Sequence, residues 1–181
     1  LLPLVFNGKK KGIQIIEKIL SNFEEEYKNN WLSMMRKKLG LIGKLKTDEI
    51  LILDLLKWMY KNKADYTNTF CYLMNCYEDV RKIYDQKDFE NWKNRWVDRC
   101  KIYDNTIKNS LNLMRKTNPL IIPRNHLVEE ALSDVINNDN FSKYNNLLKV
   151  LEKPYETSEL TSDYQQIPDL NKKRFVTYCG T

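Results

Sequence analysis

The sequence predicts an all-α fold, an irregular multi-helix domain followed by an extended C-terminal tail. Three observations carry that prediction. Only 5 Gly and 5 Pro punctuate 181 residues, of which 42% are apolar and 30% charged, the composition of a folded chain with few turns. Apolar residues recur at steps of three and four over most of the length instead of alternating. Pro119 and Pro123 bracket a short apolar run and release it into another helical pattern.

Residues 1–11 read as an entering segment, because Pro3 and the turn from Gly8 through Lys9-Lys10-Lys11 to Gly12 oppose a continuous helix. Ile13, Ile16, Leu20, Phe23, Tyr27, Trp31, Met34 or Met35, and Leu39 then form one apolar stripe along a long first helix. Gly40 is its expected left-handed cap. Thr47 is placed to cap a second helix, with Asp48 and Glu49 at its positive end, and Ile50 to Tyr60 is apolar on most sides. That helix should be central.

Asp65 or Thr67 caps a third helix carrying Phe70, Leu73, Met74 and Tyr77, and the polar stretch from Asp79 to Asp88 reads as a loop or frayed end. Phe89, Trp92, Trp96, Cys100, Tyr103 and Ile107 keep the 3–4 spacing of a fourth helix, an aromatic stripe of core type. Asn118-Pro119-Leu120-Ile121-Ile122-Pro123-Arg124-Asn125 is a structural joint. Its prolines fix their own φ and push Asn118 and Ile122 toward extended geometry, so the next helix begins at or after Pro123. Leu127, Val128, Ala131, Leu132 and Val135 lie on that helix, and Tyr144, Leu147, Leu148 and Leu151 on a short last one ended by Pro154. Residues 1–154 thus form a helical domain. Residues 155–181, without periodicity, form an extended tail belonging to the same unit.

Charge excludes little. The net +6 is diffuse, with 11 basic against 7 acidic residues over 1–60, 12 against 8 over 61–120 and 7 against 9 over 121–181. No basic triplet is joined to the aromatic pattern of a nucleic-acid-binding sheet, so no nucleic-acid partner is expected. No apolar run approaches the roughly 20 residues of a membrane span, and a soluble chain is expected.

The sequence contains no glycine-rich phosphate loop, G-x-S-x-G elbow or H-E-x-x-H pair. Cys71, Cys76, Cys100 and Cys179 lack paired zinc spacing, and one His cannot complete a common cluster, so neither metal nor cofactor is expected on this segment. The first three read as buried thiols, while Cys179 lies near a chain end. Arg124 and Asn125 have two readings. They form an anion-binding pair at a helix N-terminus, or Asn125 caps that helix while Arg124 pairs with an acid across the joint. The second is the simpler. His126 reads as structural, since no nucleophile or orienting acid is discernible beside it.

The run Asn118-Pro119 … Arg124-Asn125-His126-Leu127-Val128-Glu129-Glu130-Ala131-Leu132 resembles the signature in the C-terminal part of the selenoprotein O (SelO) family. Lys38-Leu39-Gly40-Leu41, Asp65-Tyr66-Thr67-Asn68-Thr69-Phe70, Lys153-Pro154-Tyr155 and Tyr178-Cys179-Gly180-Thr181 agree with it in order. The resemblance implies a kinase-like (pseudokinase) parent that transfers AMP from ATP to Ser, Thr or Tyr hydroxyls of other proteins. It implies that ATP and Mg bind to kinase-like lobes upstream of Leu1, that those lobes and the protein substrates are the partners, and that this segment is structural and regulatory without catalytic residues. It also implies that Cys179 is a redox latch, although Gly180-Thr181 replaces the more usual Ser-Ser ending. Location would be mitochondrial in a eukaryote and cytoplasmic in a bacterium. Two other classes compete, a stand-alone helical interaction module and a basic nucleic-acid binder; the length of the native reading frame tests the first and salt-dependent nucleic-acid binding the second.

Overall fold

The computed structural model describes residues 9–79, 81–103 and 106–168, which are helical with no strand among them. The elements are α1 (Lys9–Lys38), α2 (Asp48–Asn62), α3 (Tyr66–Leu73), a 3-10 turn (Ile83–Asp85), α4 (Lys87–Lys101), α5 (Lys108–Thr117), α6 (Asn125–Asn138), α7 (Ser142–Glu152) and the single-turn α8 (Thr161–Tyr164). The core lies where α2 packs on α4 and where both meet the C-terminal third of α1, which also packs on α5. α6 and α7 form an antiparallel hairpin beside it.

Trp92 and Trp96 occupy the seam of that core, stacked at 6.3 Å with their planes 6° apart. Each indole N–H donates to a backbone carbonyl, Trp92 to Leu51 O at 2.9 Å and Trp96 to Leu39 O at 2.8 Å. Burial of the polar indole edge is therefore matched by a partner. Trp58, Tyr72, Tyr84 and Phe89 extend this aromatic layer toward α3.

Several expectations are corrected. Lys9 to Gly12 are the first turn of α1 rather than a turn before it. The α1 stripe does not become core along its length: Leu32, Met35 and Leu39 are buried, whereas Ile13, Leu20, Phe23 and Tyr27 are exposed. Thr47 stands at the α2 N-cap position but makes no side-chain cap bond. α4 stops at Lys101, with Tyr103 exposed and Ile107 in the left-handed region at φ 50°, and the unforeseen α5 follows. α3 ends at Leu73, so Tyr77 and Cys76 lie beyond it, Cys76 only partly buried. Residues 155–168 are turns and α8 instead of extended chain.

Gly40 is confirmed as the left-handed residue after α1, at φ 66°. A Cβ there would sit 2.4 Å from the Ser110 carbonyl oxygen, so glycine also permits the close approach of α5. The turn that follows is held by Asp48. This carboxylate is wholly buried, accepts from Arg36 Nε at 2.7 Å and Arg99 Nε at 2.6 Å, and takes the Leu45 N–H at 3.0 Å. Arg99 continues to the Ile42 carbonyl at 3.1 Å, tying α1, α2, α4 and the turn between α1 and α2 together. Burial pushes the Asp48 carboxyl up, but the hydrogen bonds from Arg99, Leu45 and Arg36 outweigh it and hold it below the usual carboxylate range.

Candidate functional site

The joint between α5 and α6 was the strongest sequence signal, and its geometry follows from its two prolines. α5 ends at Thr117, Asn118 is extended at φ -105°, ψ 116°, and α6 begins at Asn125. Leu120 and Ile121 are buried, and their N–H groups donate to Pro154 O at 2.7 and 3.3 Å. Asn118 Nδ2 donates to Lys38 O at 2.8 Å and Met114 O at 3.1 Å, closing the exposed carbonyl ends of α1 and α5 with one buried amide.

Arg124 turns back from the start of α6 toward α3. Its guanidinium grips Asp65 through two bonds of 2.8 Å and adds Asn68 Oδ1 at 2.9 Å. Asp65 is at the same time the N-cap of α3, accepting the Asn68 N–H at 2.8 Å. Burial raises the Asp65 carboxyl, yet the Arg124 bonds and the Asn68 N–H prevail, leaving it below its ordinary value. Asn68 Nδ2 then donates to Gln165 O at 2.7 Å, and Gln165 Nε2 donates to Cys76 O at 3.1 Å and Leu120 O at 3.2 Å. The chain of polar groups thus runs from α6 through α3 to the residue after α8 and back to the joint.

Arg124 thus pairs with an acid, Asp65, while Asn118 at the other end of the joint binds the carbonyl ends of α1 and α5. Asn125 does not cap α6: the N-cap position belongs to Arg124, and Asn125 is exposed on the first helical turn. Asn68 and Gln165 complete the clamp without a local signal in the sequence, since their partners lie 56 and 97 residues away. Cys179 lies outside the described residues.

The Arg124 and Asp65 charges of the clamp are paired with each other. Burial pushes the Cys71 thiol beside the joint up to about 12, with the neighbouring Cys76 and Asp65 adding to the rise, so it stays protonated and poorly nucleophilic. His126 is partly buried, and burial followed by the Arg124 charge lowers its pKa, keeping it neutral at physiological pH. No group of three or more His, Cys, Asp or Glu suited to a metal occurs among the described residues. The cleft beside Ile121, about 410 Å³, is lined by Lys149 and Lys153 but also by Glu156 and Glu159, a balance that gives a phosphate no preference. No helix of the described residues is long and apolar enough to cross a membrane.

The family described as protein adenylyltransferase SelO matches residues 10–152, a span that contains α1 to α7 almost whole and the entire joint. The chain belongs to the SelO family. Within that family it is 40% identical over 181 residues to the protein nucleotidyltransferase YdiU of Pelagibacter ubique, covering all of this chain and 37% of that protein. The YdiU proteins of Nitrosococcus oceani (39% over 181 residues) and Clostridium perfringens strain SM101 (42% over 182 residues) match with the same coverage of each chain. This SelO-family chain spans little more than a third of the length of the curated relatives it matches.

Proposed function

We propose that this chain is the C-terminal helical portion of a longer enzyme that transfers AMP from ATP to Ser, Thr or Tyr hydroxyls of proteins. The observation that carries the reading is the match of the whole chain to proteins named nucleotidyltransferases at 39–42% identity, together with the adenylyltransferase family match. In the transfer the acceptor hydroxyl releases its proton as its oxygen bonds to the α-phosphorus, the bond from that phosphorus to the oxygen bridging to the β-phosphate breaks, and pyrophosphate leaves with that oxygen. ATP and Mg are assigned to a kinase-like fold outside this chain, and this chain to a structural and regulatory role. A protonated Cys71, a neutral His126 and a clamp whose charges are already paired support that division of labour.

The test is AMP transfer by the full-length protein. With Mg-ATP labelled at the α-phosphate, label is expected in acceptor proteins at hydroxyl side chains, and label at the γ-phosphate is not. Transfer of the γ-phosphate instead, or no transfer to any protein, overturns the reading. The regulatory part includes Cys179 as a redox latch to a cysteine outside this chain. Peptide mapping of the oxidised full-length protein is expected to recover that cross-link, and Cys179→Ser is expected to abolish it and change the transfer rate. Cys179 found bonded to Cys71, Cys76 or Cys100, or unbridged after oxidation, removes the latch.

A further inference from the structure

α1 carries two apolar faces. Leu32, Met35 and Leu39 enter the core, whereas Ile13, Ile16, Leu20, Phe23, Tyr27 and Met34 lie roughly a third of a turn away around the helix, at 3.6 residues per turn. Met35 is 1% exposed and its neighbour Met34 44%, so the second face is a separate seam and not the frayed end of the first. Its spacing of three, four, three and four is that of a seam that receives another helix, knobs into holes. Phe23 and Tyr27, at 61% and 62% exposure, stand at the middle of it.

The positions beside this seam decide what kind of helix fits. Glu17 and Glu24 lie along one side and Glu26 along the other, all exposed; the one basic residue near these flanks, Lys28, has its charge already paired with Glu49 of α2 at 2.8 Å, so the flanks are acidic on balance. A second copy of α1 would bring like charges together along the seam, which disfavours self-pairing. A partner with basic flanks would not. Relatives of which this chain is 37% are about 490 residues long, so roughly 300 residues of polypeptide stand outside it as a source of that partner.

We propose that the seam of α1 left open among the described residues is the docking surface for an amphipathic helix from the part of the polypeptide outside this chain, a helix with an apolar stripe flanked by Lys or Arg. This rests on the reading of the chain as a portion of a longer enzyme. Such a helix makes α1 a strut shared by two bodies, one seated on each face.

The test uses the full-length protein with the photoreactive substitution Phe23→p-benzoylphenylalanine. Irradiation is expected to link position 23 to a peptide of the same molecule, outside this chain and rich in Lys or Arg. A product of twice the mass joining two copies, a link to a foreign protein, a link within this chain, or no link overturns the proposal. In the triple variant Glu17→Lys, Glu24→Lys, Glu26→Lys, amide hydrogen exchange over residues 13–27 is expected to rise at least tenfold; unchanged exchange removes the basic-flank assignment. AMP transfer measured on the same unsubstituted protein separates the two readings: transfer without the cross-link sinks the docking helix alone, and the cross-link without transfer sinks the enzymatic reading alone.

Discussion

The two ends of α1 share one pattern and meet opposite fates. From Leu32 to Leu39 the helix buries one face, Leu32, Met35 and Leu39, in the core with α2, α4 and α5, while from Ile13 to Tyr27 residues of the same size and spacing face outward. The difference teaches that periodicity announces that a face will be covered without saying by which surface. The buried end has its indole from α4, its glycine contact with α5 and its ion cluster. The outward end has an apolar seam and a line of glutamates.

The largest effect should come from cutting the buried end where α4 meets it. Trp96→Ala removes a side chain 1% exposed together with its bond to Leu39 O, and is expected to cost about 3–5 kcal/mol by denaturant unfolding. Phe23→Ala on the outward end of the same helix is expected to change the stability of residues 1–181 by less than about 0.5 kcal/mol. Equal losses would erase the contrast between the two ends and place Phe23 in the core.

Asp48→Ala should follow closely. It strands Arg99, 6% exposed at its side chain, with the Ile42 carbonyl as its remaining described acceptor, and is expected to cost about 3 kcal/mol. The same carboxylate sets an acid limit. Because the Asp48 and Asp65 pKa values are depressed on folding, their stabilisation is fully present above the ordinary carboxylate value of about 4 and is lost as pH falls through the lower folded values. Urea titrations between pH 7 and pH 2 should therefore show stability falling mainly below about pH 4, with a shallower fall in Asp48→Ala. A parallel fall in both proteins would show that Asp48 is not depressed.

Gly40→Ala tests the meeting of α1 and α5. The left-handed φ and the 2.4 Å approach to Ser110 O make it cost about 2 kcal/mol or more, since the obstacle is backbone that moves only with α5. A neutral melting temperature would mean that the α1–α5 contact is slack.

Much of this was legible in the chain. The Trp92 and Trp96 seam, the Gly40 cap and the extended joint are set by spacing and by dihedral constraints within a few residues, and those are the features that sequence shows. The clamp was half legible: Arg124 stood out beside Pro123, but Asp65 lies 59 residues away and Gln165 is linked to it only through Asn68. In sequence Asp48 reads as a helix-end acid because Arg36 and Arg99 stand 12 and 51 positions distant, and nothing local distinguishes a buried hub from a dipole partner. α5 escaped because among its residues only Ser110 and Met114 are buried, too thin a stripe to register.

The smallest effects belong to the caps, and they separate the two ways a helix start is held here. Asp65 holds α3 by its carboxylate and is itself held by Arg124, so Asp65→Ala loses a cap bond of the kind that contributes about 1 kcal/mol and also leaves the buried Arg124 without its acid. Thr47 and Asn125 look like equally good capping residues in sequence, yet neither side chain closes a helix N–H: Asp48 serves the turn before α2, and Arg124 stands at the α6 N-cap with its side chain turned to α3. Thr47→Ala and Asn125→Ala are therefore each expected to shift stability by less than about 0.5 kcal/mol, against a loss several times larger for Asp65→Ala in the same thermal melts. A loss near 1 kcal/mol for Asn125→Ala would restore it as the α6 cap and leave Arg124 as a pure clamp. An Asp65→Ala loss no larger than that of Thr47→Ala would show that the α3–α6 clamp adds nothing beyond the helices it joins.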